Sequence, residues 1–589
     1  MSNSVFKEVR HHVDLCVVGG GLAGMFAAIS AARNGISVAI MHDRPVFGGN
    51  ASSEIRMWVG GAQGKNNKET GLLEEISLEN LYRNPYKIYS IWDSILYEKV
   101  KMESNITMLM NCSCNDAEMN GSRIRSIKGW QLTTQTWHIV EAKHFADCSG
   151  DSVLAPLTGA EFRWGREARS EFDEDIAPET EDKMTMGLSC LIQARQTADK
   201  RSFIPPAWAN KYTKEDLPYR IPDLNKPSEN FWYMELGGTQ DTIHDAEEIR
   251  DELLKVAFGI WDYIKNSGDC DAENWELDWV GFLPGKRENR RYVGDYIMTQ
   301  NDVRSEGRFD DLVAYGGWSM DDHHPEGIRY RGKPTTFHPA PSPYGIAYRC
   351  LYSKNIENLF FAGRNISTTH SAMSSTRVMA TCALMGQAIG TAASIAARED
   401  LTPRQIYEQK INDLKQNLME DDCYLPWNIR QIPEVSKNAK LSTSEGDGEA
   451  LRNGIDRPIN EDDNGWYASI GCWAMYEFDD LIEISKIRIV FDSDLERNTI
   501  SLRYTTHKTQ MQCNIFSDMD PGTVPLTMVK KFVVEALDEN GKWTVIKSES
   551  NNYQRLVTIK SDMNARAVKL TVLETWGAEK VHVFSFDVR

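Results

Sequence analysis

The pattern of apolar and polar positions changes texture along the chain. Leu15 to Val18 is a short, wholly apolar run of the kind that forms a strand buried on both faces of a parallel sheet. Leu22 to Asn34 is Ala-rich, lacks proline and ends at Gly35, which predicts a helix, and Ser37 to Met41 is a second apolar run. Leu72 to Leu81 and Ile91 to Met102 read as helices, and Asn105 to Trp130 as alternating strands turning at Asn120-Gly121. Lys143 to Phe162 reads as a strand running into Gly150-Asp151 and then a helix. This alternation predicts a doubly wound α/β domain over residues 1–162. Residues 163–345 are rich in Trp, Arg, Asp and Pro with weak periodicity and read as an inserted α+β domain. The α/β pattern returns over 346–425, with a strand in "NLFFAGRNIS", one long helix from Ser375 to Glu399 and another from Pro403 to Met419. Gly386, Ala388, Gly390, Ala392 and Ala393 on the long helix permit close backbone approach. From 437 to 589 the chain becomes short alternating strands, among them Thr499 to Thr505, with a hairpin turn at Asn540-Gly541, which predicts an all-β sandwich.

Composition narrows the function classes. A net charge of −19 over 589 residues disfavours nucleic acid as a partner. No membrane insertion is expected, since no apolar run approaches the roughly 18 residues a spanning helix needs. Met1 to His12 has no apolar core of a signal peptide, and the eleven cysteines lack C-x-x-C spacing, so reduced thiols and a cytoplasmic setting are expected. Cys112 and Cys114 read as occupants of alternate faces of one strand. No metal site, flavin-to-disulfide relay, iron–sulfur cluster or second dinucleotide unit is expected.

The first strand is followed by Gly19, Gly21 and Gly24 in G-x-G-x-x-G spacing. The first glycine allows a tight turn, the second lets a pyrophosphate approach the backbone, and the third lets the helix pack on the strand. The helix amides then face the phosphates. Asp43 follows the second strand, about 20 residues past the last glycine, where a carboxylate accepts from a ribose hydroxyl and disfavours a 2′-phosphate.

With "VVGGGLAGMFAAISAARNG", "FGGN", "DCSGD", "GKRENRRYVGDYIMTQNDV", "YGIAYRCLYSKNIENLFFAGRNIS" and "SSTRVMATCALMGQAIGTAA" in that order, the chain resembles FAD-dependent oxidoreductases of the glutathione-reductase-like superfamily over about residues 13–400. Its C-terminal region is similar to galactose-binding-like (discoidin-type) sandwiches. The resemblance implies a Rossmann-type domain holding FAD, taken here as non-covalent. It implies that Gly19, Gly21, Ala23 and Gly24 hold the pyrophosphate, that Asp43 holds the ribose, and that Arg44, Gly49 and Asn50 line the cleft. Gly150 and Asp151 stand in a motif whose usual Ala-Thr is Cys148-Ser149 here. Gly363 and Arg364 pass the ribityl chain and second phosphate, with Arg364 where many relatives carry Asp. The long helix, from about Thr376, points its N-terminus at the flavin, with Arg377 beside it.

Oxidation of an alcohol by hydride transfer needs a base for the hydroxyl proton. His370 in "STTHSAMSS", between the Gly-Arg turn and the long helix, is the first candidate, and His324 in "SMDDHHPEG" the second, with His323 as a substrate contact. Asp321 and Asp322 alongside point apart and make a poor metal pair. In "KRENRR", Arg287 is a candidate catalytic cation, and Arg290 and Arg291 candidate clamps for an anionic substrate, since Arg suits bidentate carboxylate binding. Arg56 is a further substrate-binding candidate. Trp466 and Tyr467, with Asp462 and Asp463, mark a candidate sugar-binding tip on the sandwich. Three readings follow. One is a dehydrogenase or oxidase of a small polar substrate, a sugar or glycoside alcohol being favoured, with an unidentified electron acceptor. The second is a reductase of an enone or keto acid with an outside donor. The third is a carbohydrate-binding protein with a structural flavin.

Overall fold

The computed structural model describes residues 6–500 and 509–589. Two compact units divide them: 6–63 with 87–415 and 509–520, and 64–86 with 416–500 and 521–589. The inserted region 163–345 therefore clusters with the α/β fold rather than apart from it. Segments 64–86 and 509–520 each belong to the unit their sequence neighbours do not suggest.

The first unit is built on a sheet in which β1 (Lys7–Val18) lies between β2 (Val38–Met41) and β6 (Thr136–Asp147). β3 (Ile106–Leu109) extends it beyond β2, and β4 (Cys112–Asn120) and β5 (Arg123–Gln131) form an antiparallel meander joined to β6. The strand Leu359–Phe361 pairs in parallel with the end of β6. β1, β2, β3, β6 and Leu359–Phe361 are mutually parallel, so Val18, Met41, Leu109, Asp147 and Phe361 finish at one edge. Ligands of open α/β sheets bind outside such an edge.

α1 (Leu22–Arg33) connects β1 to β2 and packs on the helix Met379–Glu399. A Cβ at Gly386 would stand 2.1 Å from the Ala23 carbonyl oxygen, and one at Gly390 2.3 Å from that of Ala27, so the two helices touch backbone to backbone. The expected long helix is interrupted: His370–Thr376 is one helix, and Met379–Glu399 begins only after the extended Val378. Met379–Glu399 is apolar and long enough to cross a membrane by length and composition, yet it is buried along nearly its whole length as a core helix.

The helix Ala246–Asn266, unread in the sequence, buries Ile249, Leu253, Val256, Ile260 and Ile264 against Leu188, Ile192 and Met234. Phe516 joins this core edge-on to Trp275, at 5.2 Å between ring centres, and Ile515 bridges Arg195. The second unit is an antiparallel all-β sandwich whose long strands Trp473–Phe491 and Leu556–Thr575 pair with an interruption between Glu477 and Ile482. An interruption of that kind bends a strand. Its core around Trp466, Phe491, Phe532 and Phe586 also takes Leu78 and Leu81 of the helix Leu72–Arg83. The strand expected over 499–505 falls largely outside the described residues.

Candidate functional site

A cavity of about 870 Å³ opens at the carboxyl edge of the parallel strands, within the size range of small-molecule sites. Four of the five connections leaving that edge supply part of its wall: Gly19–Ala23 after β1, His42–Pro45 after β2, Cys148–Asp151 after β6 and Gly363-Arg364 after Leu359–Phe361. The glycine turn behaves as its spacing predicts. Gly19 has φ +100° and an added Cβ there would stand 2.5 Å from the Cys148 carbonyl oxygen. A Cβ at Gly24 would fall 1.9 Å from the Gly19 oxygen, so Gly24 packs the helix onto the strand and does not itself line the cavity. α1 starts at Gly21 with no side-chain cap and no acid in its first turn. A bare helix N-terminus suits an anion.

Of the other expected ligand residues, Gly21, Ala23, Asp43, Arg44, Gly49, Asn50, Gly150, Asp151, Gly363, Arg364 and Arg377 all line the cavity. Asp151 accepts from Arg364 at 2.6 Å and Lys286 at 2.7 Å. Burial alone would raise its carboxyl, but these two cations hold it below the usual range. Cys112 and Cys114 both line the cavity. The expectation of alternate faces is therefore corrected, since residues two apart on a strand share a face.

The candidate catalytic groups are redistributed. His370 does not line the cavity. Its Nδ1 lies 2.9 Å from Glu288 and its Nε2 3.2 Å from Asp322. Burial opposes its charging, but the two carboxylates outweigh burial and push it up to about 10. A ring already protonated at neutral pH cannot serve as a base. His324 is stacked on Tyr330 at 3.5 Å, also away from the cavity. His323 is the histidine of this loop on the wall. It belongs to the strand Met320–His323, whose alternation turns Asp321 and His323 to the cavity and Asp322 to His370. Its Nδ1 lies 2.6 Å from Glu235 and its Nε2 3.2 Å from Asp321.

The "KRENRR" segment divides in the same way. Lys286 and Arg287 line the cavity, and Arg287 donates to Ser189 at 2.9 Å and the Trp232 carbonyl at 2.9 Å. Arg291 is buried against Glu167, Glu288 and the carbonyls of Gly165 and Thr368. Arg290 lies over Phe162. Arg56 is sandwiched between Tyr89 and Trp279, at 4.7 and 4.5 Å from their ring centres. These three arginines are not on the cavity wall, so the structure does not place them as substrate clamps. Residues the sequence reading passed over are His42, Glu54, Trp58, Trp232, Trp318 and Phe337 on the wall, and Glu235 behind it. Among the described residues no group of three or more His, Cys, Asp or Glu is arranged to hold a metal ion.

On the sandwich, Trp466 is buried and donates to the Glu445 carbonyl, which removes it as an exposed platform. Tyr467 is about half exposed and stacked on His582 at 3.9 Å. Asp463 stands 3.2 Å from His582, and Asp462 sits in a turn with Ile459.

Sheet, glycine turn and edge cavity together define an α/β protein with a cavity suited to a dinucleotide. The chain belongs to the FAD dependent oxidoreductase family, whose model matches residues 14–418. No curated protein matches it. Among solved structures it is similar to the family 32 carbohydrate-binding module from Streptococcus pneumoniae EndoD (11% identity, 26% of this chain and 97% of that one, TM-score 0.20). It is similar to CpGH89CBM32-5 from Clostridium perfringens, in complex with GalNAc-β-1,3-galactose (14%, 26% and 96%, TM-score 0.19). A Streptococcus pneumoniae fucose binding module is a third (11%, 27% and 94%, TM-score 0.19).

The residues present fit FAD. The bare start of α1 and the glycines leave room and amides for a pyrophosphate. Arg44 Nη1 and Arg364 Nε are buried without a hydrogen-bond acceptor on the cavity wall, as donors awaiting a phosphate oxygen would be. Asp43 stands at the β2 edge with its side chain largely exposed, available to a ribose.

Proposed function

We propose that the protein is a flavin-dependent dehydrogenase or oxidase of a small, uncharged, hydroxyl-bearing substrate, a sugar or glycoside being the favoured class. The observation that carries this reading is the pairing of the cavity's cations. Lys286 and Arg364 meet Asp151, Arg377 meets Asp321 at 3.2 Å, Arg287 stands 3.5 Å from Glu235, and Arg44 3.9 Å from Glu54. Each of these wall cations already faces a carboxylate, which favours a neutral substrate over a keto acid. The aromatic walls of Trp58, Trp232, Trp318 and Phe337 suit the C–H faces of a sugar ring.

When bound, FAD supplies the hydride chemistry. The hydroxyl proton passes to the hydrogen-bonded His323–Asp321 pair on the wall, whose ring Glu235 fixes through Nδ1. No wall cysteine is expected to link to the flavin. Burial pushes the thiols of the wall cysteines Cys112, Cys114, Cys148 and Cys382 well above the usual range, so none is a thiolate nucleophile at neutral pH.

The test is the anaerobic visible spectrum of the purified protein during additions of sugars, polyols, hydroxy acids and NAD(P)H. Bleaching of the flavin by a neutral sugar or polyol is expected. Bleaching by NAD(P)H alone would move the assignment to a reductase. Protein that is colourless and takes up no FAD would overturn the cofactor reading as well.

A further inference from the structure

His42 follows β2 directly and is nearly fully buried. Its ring packs against the glycine turn: a Cβ at Gly20 would stand 2.6 Å from two of its carbons, and Phe47 stacks on the ring at 6.0 Å. The Gly20 N–H donates to Nδ1 at 3.0 Å, and Nε2 lies 3.0 Å from the Val46 carbonyl. A carbonyl only accepts, so Nε2 carries the proton, Nδ1 is a bare acceptor, and the ring is neutral in this arrangement. It thereby ties the turn after β1 to the loop after β2. A second partner waits at the same nitrogen, for Asp43 Oδ1 lies 3.3 Å from Nδ1.

We propose that His42 is a positioning residue that couples cofactor binding to proton uptake. Neutral His42 fastens the Gly20 amide and leaves Asp43 free for the ribose. Adding one proton from solvent to Nδ1 sets donor against donor at Gly20. The new N–H turns to Asp43, so the turn loses its tie and the ribose loses its acceptor. The other charged groups near the ring are Arg44 and Glu54, 3.9 Å from each other. Cys112, whose N–H donates to the His42 carbonyl, is uncharged, its thiol pushed up to about 12 by burial. The proposal rests on the cavity's being the FAD site.

The test is FAD affinity of the flavin-stripped chain, read by flavin fluorescence from about pH 5 to 8, the range in which imidazoles titrate. Wild type is expected to bind about tenfold more weakly at the acid end, the worth of one or two hydrogen bonds. His42→Gln, which can accept from Gly20 but cannot titrate, is expected to bind with little pH dependence. Asp43→Asn, at a largely exposed side chain, is expected to bind more weakly at pH 8 with a shallower acid loss. If His42→Gln does not fold, the wild-type and Asp43→Asn slopes decide. A flat wild-type profile, a His42→Gln slope equal to wild type, or an unchanged slope in Asp43→Asn would overturn the proposal. Failure to bind FAD at every pH would overturn the cofactor assignment beneath it.

Discussion

Replacing Gly386 with alanine tests how the cofactor turn is held from behind. The new Cβ would stand 2.1 Å from the Ala23 carbonyl oxygen, where carbon and oxygen in contact need about 3.2 Å, so one helix must retreat by roughly 1 Å. Two effects oppose each other. Alanine gains about 1 kcal/mol of helix propensity over glycine. Overpacking against a fixed backbone costs about 1–3 kcal/mol, and an overlap of this size against a carbonyl belongs at the upper end. The net expectation is a loss of about 2 kcal/mol. Because Ala23 lies in the first turn of α1 and on the cavity wall, FAD affinity should fall together with stability. Gly390→Ala makes the corresponding clash one turn deeper, 2.3 Å from Ala27, which does not line the cavity. It should lower stability with a smaller effect on affinity. Thermal denaturation by circular dichroism and FAD titration read the two separately. Wild-type stability in both variants would refute the close helix contact. Equal affinity losses would refute the link from Ala23 to the cofactor.

The remaining expectations can be put briefly. His370 is pushed up to about 10, above the ordinary 6.5, so its contribution to stability is full below about pH 6.5 and lost as pH rises through about 10. His370→Asn should therefore be less stable at pH 7 and lose less on going to pH 10. Denaturation midpoints across that range check it, and an unchanged alkaline slope would sink the buried-imidazolium reading. Phe516→Ala should cost about 3–5 kcal/mol and release FAD at a lower temperature, because Phe516 fills the core beside Trp275 in the α/β unit. Release at the wild-type temperature would contradict that placement. His323→Gln should keep its flavin while the rate of substrate-dependent bleaching falls by about a hundredfold or more; an unchanged rate would remove His323 as proton acceptor.

What could be read from the chain was local. The turn at Gly19–Gly24, the carboxylate at Asp43 and the small residues at Gly386 and Gly390 announce themselves because each answers a steric demand made within a few residues. The amphipathic stripe Ile249, Leu253, Val256, Ile260 and Ile264 was equally legible by spacing, but the tryptophans and charges around it masked the period. Long-range membership was not legible. The helix Leu72–Arg83 shows an apolar face but not that the sandwich core receives it, and nothing in residues 509–520 says that they complete the core of the other unit.

The histidines show why the site resisted a linear reading. "SMDDHHPEG" and "STTHSAMSS" offer three of them, and chemistry alone ranks His370 first because it lies nearest the Gly-Arg turn. Their roles depend on partners far away in sequence: Glu235 for His323, Glu288 for His370 and Tyr330 for His324. Four residues of strand then decide the rest, since Met320–His323 turns alternate side chains to opposite sides. Asp321 and His323 therefore meet the cavity, while Asp322 meets the buried His370 ring and His324, just past the strand, stacks on Tyr330. Both His370 and His323 are buried between two carboxylates, but only His323 also lines the cavity. The same residue type thus stabilises the fold at position 370 and is offered to substrate at position 323, and the difference lies in which face of one short strand its surroundings present.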